Sequence, residues 1–126
     1  MTTPTQAFAK GASFLIVEDD MLIVMMIKFM LEEAGAQTIA VANSVARALS
    51  LIENNTYDVA IFDRQLQDGV SYPAAIIARE RGASIIVASG QQALDLPNEL
   101  SDVIVLSKPF ELSEFERAVR AALLQR

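Results

Sequence analysis

Val59-Ala60-Ile61-Phe62-Asp63 places four residues suited to a buried strand directly before a carboxylate, with Arg64, Gln65, Gln67, Asp68 and Gly69 close behind. A short apolar run bounded by polar and turn-forming residues reads as a central strand of a parallel sheet, covered on both faces. In open parallel sheets ligands gather beyond the carboxyl ends of the strands, which is where Asp63 falls. Aspartate is also a common turn former, so this stretch alone leaves Asp63 open to a bland reading. The pattern elsewhere in the chain separates the two.

Working outward, Phe14-Leu15-Ile16-Val17 is a second buried-strand pattern, and it too stops on acid, at Glu18-Asp19-Asp20. Residues 38–42 read as a short strand, Ile85-Ile86-Val87-Ala88 as a fourth that stops at Ser89-Gly90, and Val103-Ile104-Val105-Leu106 as a fifth, before Ser107-Lys108-Pro109-Phe110. Between them lie helical patterns. One runs over 20–34 and is closed by Gly35. A second is opened by Ser44, with Val45, Ala48, Leu49 and Ile52 on one face. A third is capped by Ser71, carries Pro73 in its first turn and ends at Gly82. The last is opened by Ser113 with Glu116 as a capping box, with Phe115, Val119, Ala122 and Leu123 inward. The stretch 91–101 contains Pro97 and has room for no helix longer than about two turns, so the fourth helix is expected to be short or irregular. Buried strands alternating with crossover helices specify an α/β sandwich, a doubly wound parallel sheet of five strands. Residues 1–12 read as a flexible lead-in and 13–126 as one domain.

Composition removes several chemistries. The chain has 126 residues, enough for one domain with a real core, and 52% of them are hydrophobic, so it is globular. It has no cysteine, hence no disulfide or thiolate site, and no histidine, hence no imidazole catalyst, metal ligand or phosphohistidine of its own. The net charge is −6 without a Lys/Arg cluster, which argues against binding nucleic acid. The N-terminus lacks the apolar centre of a signal peptide. The most apolar run, 21–31, falls short of the about 20 residues that cross a bilayer. A cytoplasmic protein with no membrane association is expected.

Four of the five strands end in polar residues: Glu18 and Asp19, Asp63, Ser89, and Lys108. In the strand order 2-1-3-4-5 all of them converge on one crevice at the switch point. Clustered carboxylates need a cation, and hard oxygen donors without His or Cys select Mg2+ or Mn2+ over zinc. A lysine beside them suits a phosphoryl oxygen, and the Ser89 hydroxyl suits a second. Aspartate is an established covalent acceptor of phosphate, so the set describes a carboxylate that takes a phosphoryl group beside a divalent metal.

The segments Val17-Glu18-Asp19-Asp20, Phe62-Asp63, Ala88-Ser89-Gly90 and Lys108-Pro109-Phe110 resemble, in order and spacing, the receiver domain of bacterial two-component response regulators, from Ser13 to the C-terminus. The resemblance implies a flavodoxin-like fold with sheet order 2-1-3-4-5. It makes Asp63 the phospho-acceptor, Glu18 and Asp19 the acidic pair serving the metal, and the backbone carbonyl of Gln65 a further metal ligand. It places Ser89 and Lys108 on the phosphoryl group and makes the Lys108-Pro109 peptide cis. The implied donor is a phosphohistidine on a histidine kinase or histidine phosphotransfer protein. The output is contact with an unknown downstream protein, or service as a phosphate sink, and the chain itself is not an enzyme. The absence of an effector domain resembles the stand-alone, single-domain type.

The first helix carries an interface signal of its own. Ile23, Met26, Ile27, Met30, Leu31 and Ala34 have the spacing to face the sheet, leaving Met21, Leu22, Val24, Met25 and Phe29 on other faces. Exposed apolar patches mark interfaces, and methionine suits a surface that adapts to a partner. Met21, Leu22 and Met25 are therefore expected to contact the phosphoryl donor.

Two features depart from the family pattern. Where many receivers carry an aromatic residue, three positions before the lysine, this chain has Val105, which cannot report the phosphoryl group by rotating. Segment 90–101 is expected to order on phosphorylation instead. Arg64, directly after the acceptor, is unusual, and is expected to pair with Asp68 or to shield the site. Three other functions fit the residues less well. A phosphatase using the same aspartyl chemistry lacks the second carboxylate two residues after Asp63. A flavin or nucleotide module lacks a glycine-rich loop after the first strand. A receiver that docks proteins without phosphate leaves the acid–Ser–Lys set unexplained.

Overall fold

The computed structural model describes residues 7–90 and 95–125. The chain runs β1 (Ser13–Val17), α1 (Met21–Glu33), β2 (Thr38–Ala42), α2 (Val45–Asn54), β3 (Val59–Asp63), β4 (Gln65–Leu66), β5 (Gly69–Val70), α3 (Tyr72–Glu80), β6 (Ser84–Ser89), β7 (Ile104–Ser107) and α4 (Leu112–Gln125). A 3-10 turn, Asn98–Leu100, lies between β6 and β7. The main sheet has five parallel strands in the order β2-β1-β3-β6-β7. Counted within the sheet, this is the order 2-1-3-4-5 expected of a flavodoxin-like receiver fold.

Alternation along the strands divides the core between the two faces of the sheet. Leu15, Val17, Ala60, Phe62, Ile85 and Val87 pack with Ala48, Ile52, Ala74, Ala78 and Leu100 on one side. Phe14, Ile16, Val59, Ile61 and Ile86 pack with Val24, Ile27, Leu31, Phe115 and Val119 on the other. The N-terminal lead-in enters this second cluster: Ala9 and Ala12 are buried, and the Ala9 N–H donates to the Ala34 carbonyl at 3.0 Å. Arg120 stacks on the Phe8 ring, 4.3 Å from its centroid. Residues 1–6 of the lead-in lie outside the described residues. Gly35 ends α1 with φ +93°, and a side chain there would meet the Lys10 backbone at 3.3 Å, so only glycine closes this helix beneath the arm.

The structure corrects several local expectations. Val24 is buried, 3% exposed, because a sheet covered by both α1 and the neighbouring α4 admits a wider apolar stripe on α1 than the first spacing allowed. Leu49 is 36% exposed at the edge of α2. Ser71 makes no side-chain cap; its hydroxyl is buried without a hydrogen-bond partner, while its carbonyl accepts from Ala75. Helix α4 starts at Leu112, earlier than the Ser113/Glu116 box requires, and the reciprocal contact shifts to Glu114, whose carboxylate accepts from the Glu111 N–H at 2.9 Å. The loop through Gly69 is a two-stranded antiparallel hairpin, β4-β5. As expected, the 91–101 stretch holds no long helix among its described residues; residues 91–94 lie outside them.

Candidate functional site

Parallel register delivers the polar residues to one edge. Val17 pairs with Phe62, so Glu18 and Asp63 leave adjacent strands at the same level; Ser89, opposite Ser107, ends β6 beside Lys108. The Lys108 N–H donates to the Ser89 carbonyl at 2.8 Å, fixing the last turn of that edge. Carboxylate oxygens of Glu18, Asp19 and Asp63 all lie within 4.8 Å of one another. Lys108 Nζ stands 2.6 Å from Glu18 Oε1 and 3.4 Å from Asp63 Oδ1. Asp20, the N-cap of α1, accepts from the Leu22 and Ile23 amides and faces its own helix.

Glu18 is the deep member of the group. Burial pushes its carboxyl above the usual range, the Lys108 bond pulls it down, and the nearby Asp63 charge pushes it up again, leaving it raised. Its second oxygen accepts from the Asp19 and Asp20 N–H groups at 3.1 and 3.3 Å. Burial acts to lower the Lys108 pKa, but its bond to Glu18 and the charges of Glu18 and Asp63 outweigh this and raise it. The lysine is thus held as a cation among three acids, a donor set of hard oxygens with one ammonium. Such a set suits a hydrated Mg2+ and an oxyanion together.

Gln65 opens β4, two residues beyond Asp63, with its side-chain amide turned onto the Leu66 carbonyl. Ser89 is buried at 3% exposure at the end of β6. The Lys108–Pro109 bond is cis, as the resemblance implies. Met21, Leu22 and Met25 are 59%, 79% and 63% exposed on α1, with Phe29 at 63% beside them. Ile23 and Met26 face Lys108, Pro109 and Phe110 across an apolar cleft of about 370 Å³, which joins that helix to the site. Val105 is 44% exposed on the edge strand β7.

Arg64 does not pair with Asp68. Its guanidinium forms a forked pair with Asp95, at 3.1 and 3.2 Å from Nη2. Tyr72 donates its hydroxyl to the same Asp95 at 3.3 Å, and Arg64 lies 5.7 Å from the centre of the Tyr72 ring. Asp68 instead accepts from the Val45 and Ala46 amides at 2.8 and 3.0 Å, at the start of α2. Neither contact had a local signature, since the partners are 31 and 23 positions apart in the chain.

Residues 14–120 match the family model described as the response regulator receiver domain. The chain belongs to this family. It is 32% identical over 114 residues to the transcriptional regulatory protein PdtaR of Mycobacterium tuberculosis, covering 86% of this chain and 55% of that one. It spans about half the length of the curated relatives it matches. Among solved structures, a response regulator receiver protein from Sinorhizobium medicae superposes with a TM-score of 0.81 at 24% identity, covering 90% of this chain and 95% of that one. The receiver domain of the sensor histidine kinase PA1611 from Pseudomonas aeruginosa superposes with a TM-score of 0.73 at 26% identity, covering 90% and 98%; that structure has a magnesium ion coordinated in its active-site cleft. Receiver domains are signalling modules of two-component systems. Among the described residues no helix is long and apolar enough to cross a membrane.

Proposed function

We propose that this receiver accepts a phosphoryl group on Asp63 from a phosphohistidine of a histidine kinase or histidine phosphotransfer protein. The observation that supports this reading most strongly is three acids within 4.8 Å of one another with the Lys108 ammonium between Glu18 and Asp63. In the transfer an Asp63 carboxylate oxygen forms the new bond to phosphorus as the phosphorus–nitrogen bond of the donor breaks, and the imidazole leaves. Lys108 holds one phosphoryl oxygen and the Ser89 hydroxyl another, so the charge that moves onto Asp63 meets fixed donors. Glu18, Asp19, Asp63 and the Gln65 carbonyl would hold Mg2+, or Mn2+ on the same hard donors, and a metal there would supply charge neutralisation for the transferring oxygens.

Met21, Leu22 and Met25 form the surface that seats the donor. The phosphorylated chain then acts in the cytoplasm through protein contacts with a downstream partner, or as a phosphate sink, and is not itself an enzyme. The test is intact mass after incubation with acetyl phosphate and Mg2+, for the native chain and for Asp63→Asn. One added phosphoryl group on the native chain alone is expected; no adduct on either chain defeats the proposal.

A further inference from the structure

Arg64 joins the acceptor to a distant part of the chain. It follows Asp63 directly, and its N–H donates to the Ala88 carbonyl at 2.9 Å, so its backbone is fixed between β3 and β6. Its side chain reaches Asp95, on the connection from β6 to β7, and is flanked by Tyr72 from α3. The far end of that connection is held separately: Arg79 bonds the Glu99 carbonyl at 2.8 Å and forks onto Asp102, and Leu100 is fully buried. At the Asp95 end, among the described residues, Leu96 packs half-buried against the core, and the polar side-chain anchors are Arg64 and Tyr72, both on one carboxylate that is itself exposed.

We propose that Arg64 is a latch: in the unphosphorylated chain it clamps Asp95, and a phosphoryl group on Asp63 competes for the guanidinium and releases the Asp95–Pro97 stretch. This rests on the acceptor role of Asp63. A phosphoryl group adds between one and two negative charges and three acceptor oxygens, on the residue next to Arg64. A forked guanidinium matches phosphate as well as carboxylate, so the two anions compete for one donor set. Asp95 competes weakly, because an exposed ion pair is screened by water. Sequence reasoning predicts ordering of segment 90–101 on phosphorylation; the latch concerns its Asp95 side chain, which is already held by Arg64 and can therefore be released. The latch also supplies a readout in a chain whose Val105 has no ring or hydroxyl to carry one.

The test uses Mg2+ with beryllofluoride as the phosphoryl probe, and three variants: Arg64→Gln, Asp95→Asn and the double variant. In the native chain, NMR should show the Arg64 Nε–H and the Asp95 and Leu96 amides shifting on probe binding while the Ser101 and Asp102 amides stay. Coupling is reciprocal, so Asp95→Asn should bind the probe tighter, by about fivefold or more. In the Arg64→Gln background the Asp95 change should have no further effect, a dependence that general loosening of the loop would not produce. Probe binding that leaves the Asp95 amide unmoved, or an Asp95→Asn gain that persists without Arg64, overturns the latch and leaves the acceptor reading standing. Failure of the native chain to bind the probe at all removes both.

Discussion

Lys108 lets three carboxylates share one crevice, and the arrangement has a cost in stability that can be measured. Glu18, Asp19 and Asp63 repel one another, and one ammonium cannot balance three acids. Without divalent metal, Asp19→Asn is expected to stabilise the fold, by up to about 1 kcal/mol, the scale for unit charges at such a separation in a watery setting. With Mg2+ at about 100 times its Kd the native chain should gain about 2.7 kcal/mol, and the variant much less. Thermal melts in EDTA and in Mg2+ check both halves; equal Mg2+ responses would remove Asp19 from the proposed metal site. These residues were legible because each stands at the carboxyl end of a strand, where pattern and position coincide. Asp95 was not, because nothing local in a loop aspartate tells which arginine it will meet.

At the scale of the element, α1 divides its apolar residues between two duties. Val24, Ile27 and Leu31 are buried, whereas Met21, Leu22 and Met25 stand in solvent on the same helix. Val24→Ala is expected to destabilise by about 1–2 kcal/mol, the range for losing buried methyl groups, and to leave the surface unchanged. Replacing Met21, Leu22 and Met25 by serine or lysine should shift stability by no more than about 0.5 kcal/mol per site. It should slow phosphotransfer from a protein donor while leaving the rate with acetyl phosphate intact. Denaturant titrations and the two transfer assays separate these outcomes, and an unchanged protein-donor rate would sink the docking role. The helix and its exposed face could be read from the sequence, but the placing of Val24 could not. Helical spacing gives the direction of an apolar stripe, and its width depends on which neighbours cover it. Capping differed from expectation in two ways: Ser71 holds the N-cap position of α3, but its backbone is already helical and its hydroxyl bonds nothing, whereas Ser113 falls inside α4, which starts at Leu112.

For the whole molecule, carboxylates tie together segments far apart in sequence, and this sets the response to acid. Asp58 accepts from the Ser13 N–H at 2.8 Å, joining the starts of β1 and β3. Asp68 accepts from two amides of α2 and is held below the usual carboxylate range by them. Asp102 is held below it by Arg79 of α3. A carboxyl with a depressed pKa in the fold stabilises it above the ordinary value, near pH 4, and that stabilisation is lost as pH falls through the lower folded value. In that window the unfolded chain binds protons that the folded chain refuses, so stability climbs with pH. Glu18 acts in the opposite sense, because its raised pKa makes its ionised form a cost to the fold. The depressed groups are the more numerous of these, so urea midpoints should fall steadily as pH is lowered from about 5 to 3. Asp68→Asn should lower the midpoint at neutral pH, where an amide oxygen replaces a carboxylate facing the helix N-terminus. It should also flatten the acid limb, since the residue no longer titrates. A variant that keeps the native slope would show that the tie between the β3–α3 loop and α2 contributes nothing to acid sensitivity, and that the loop beside Asp63 is positioned without it.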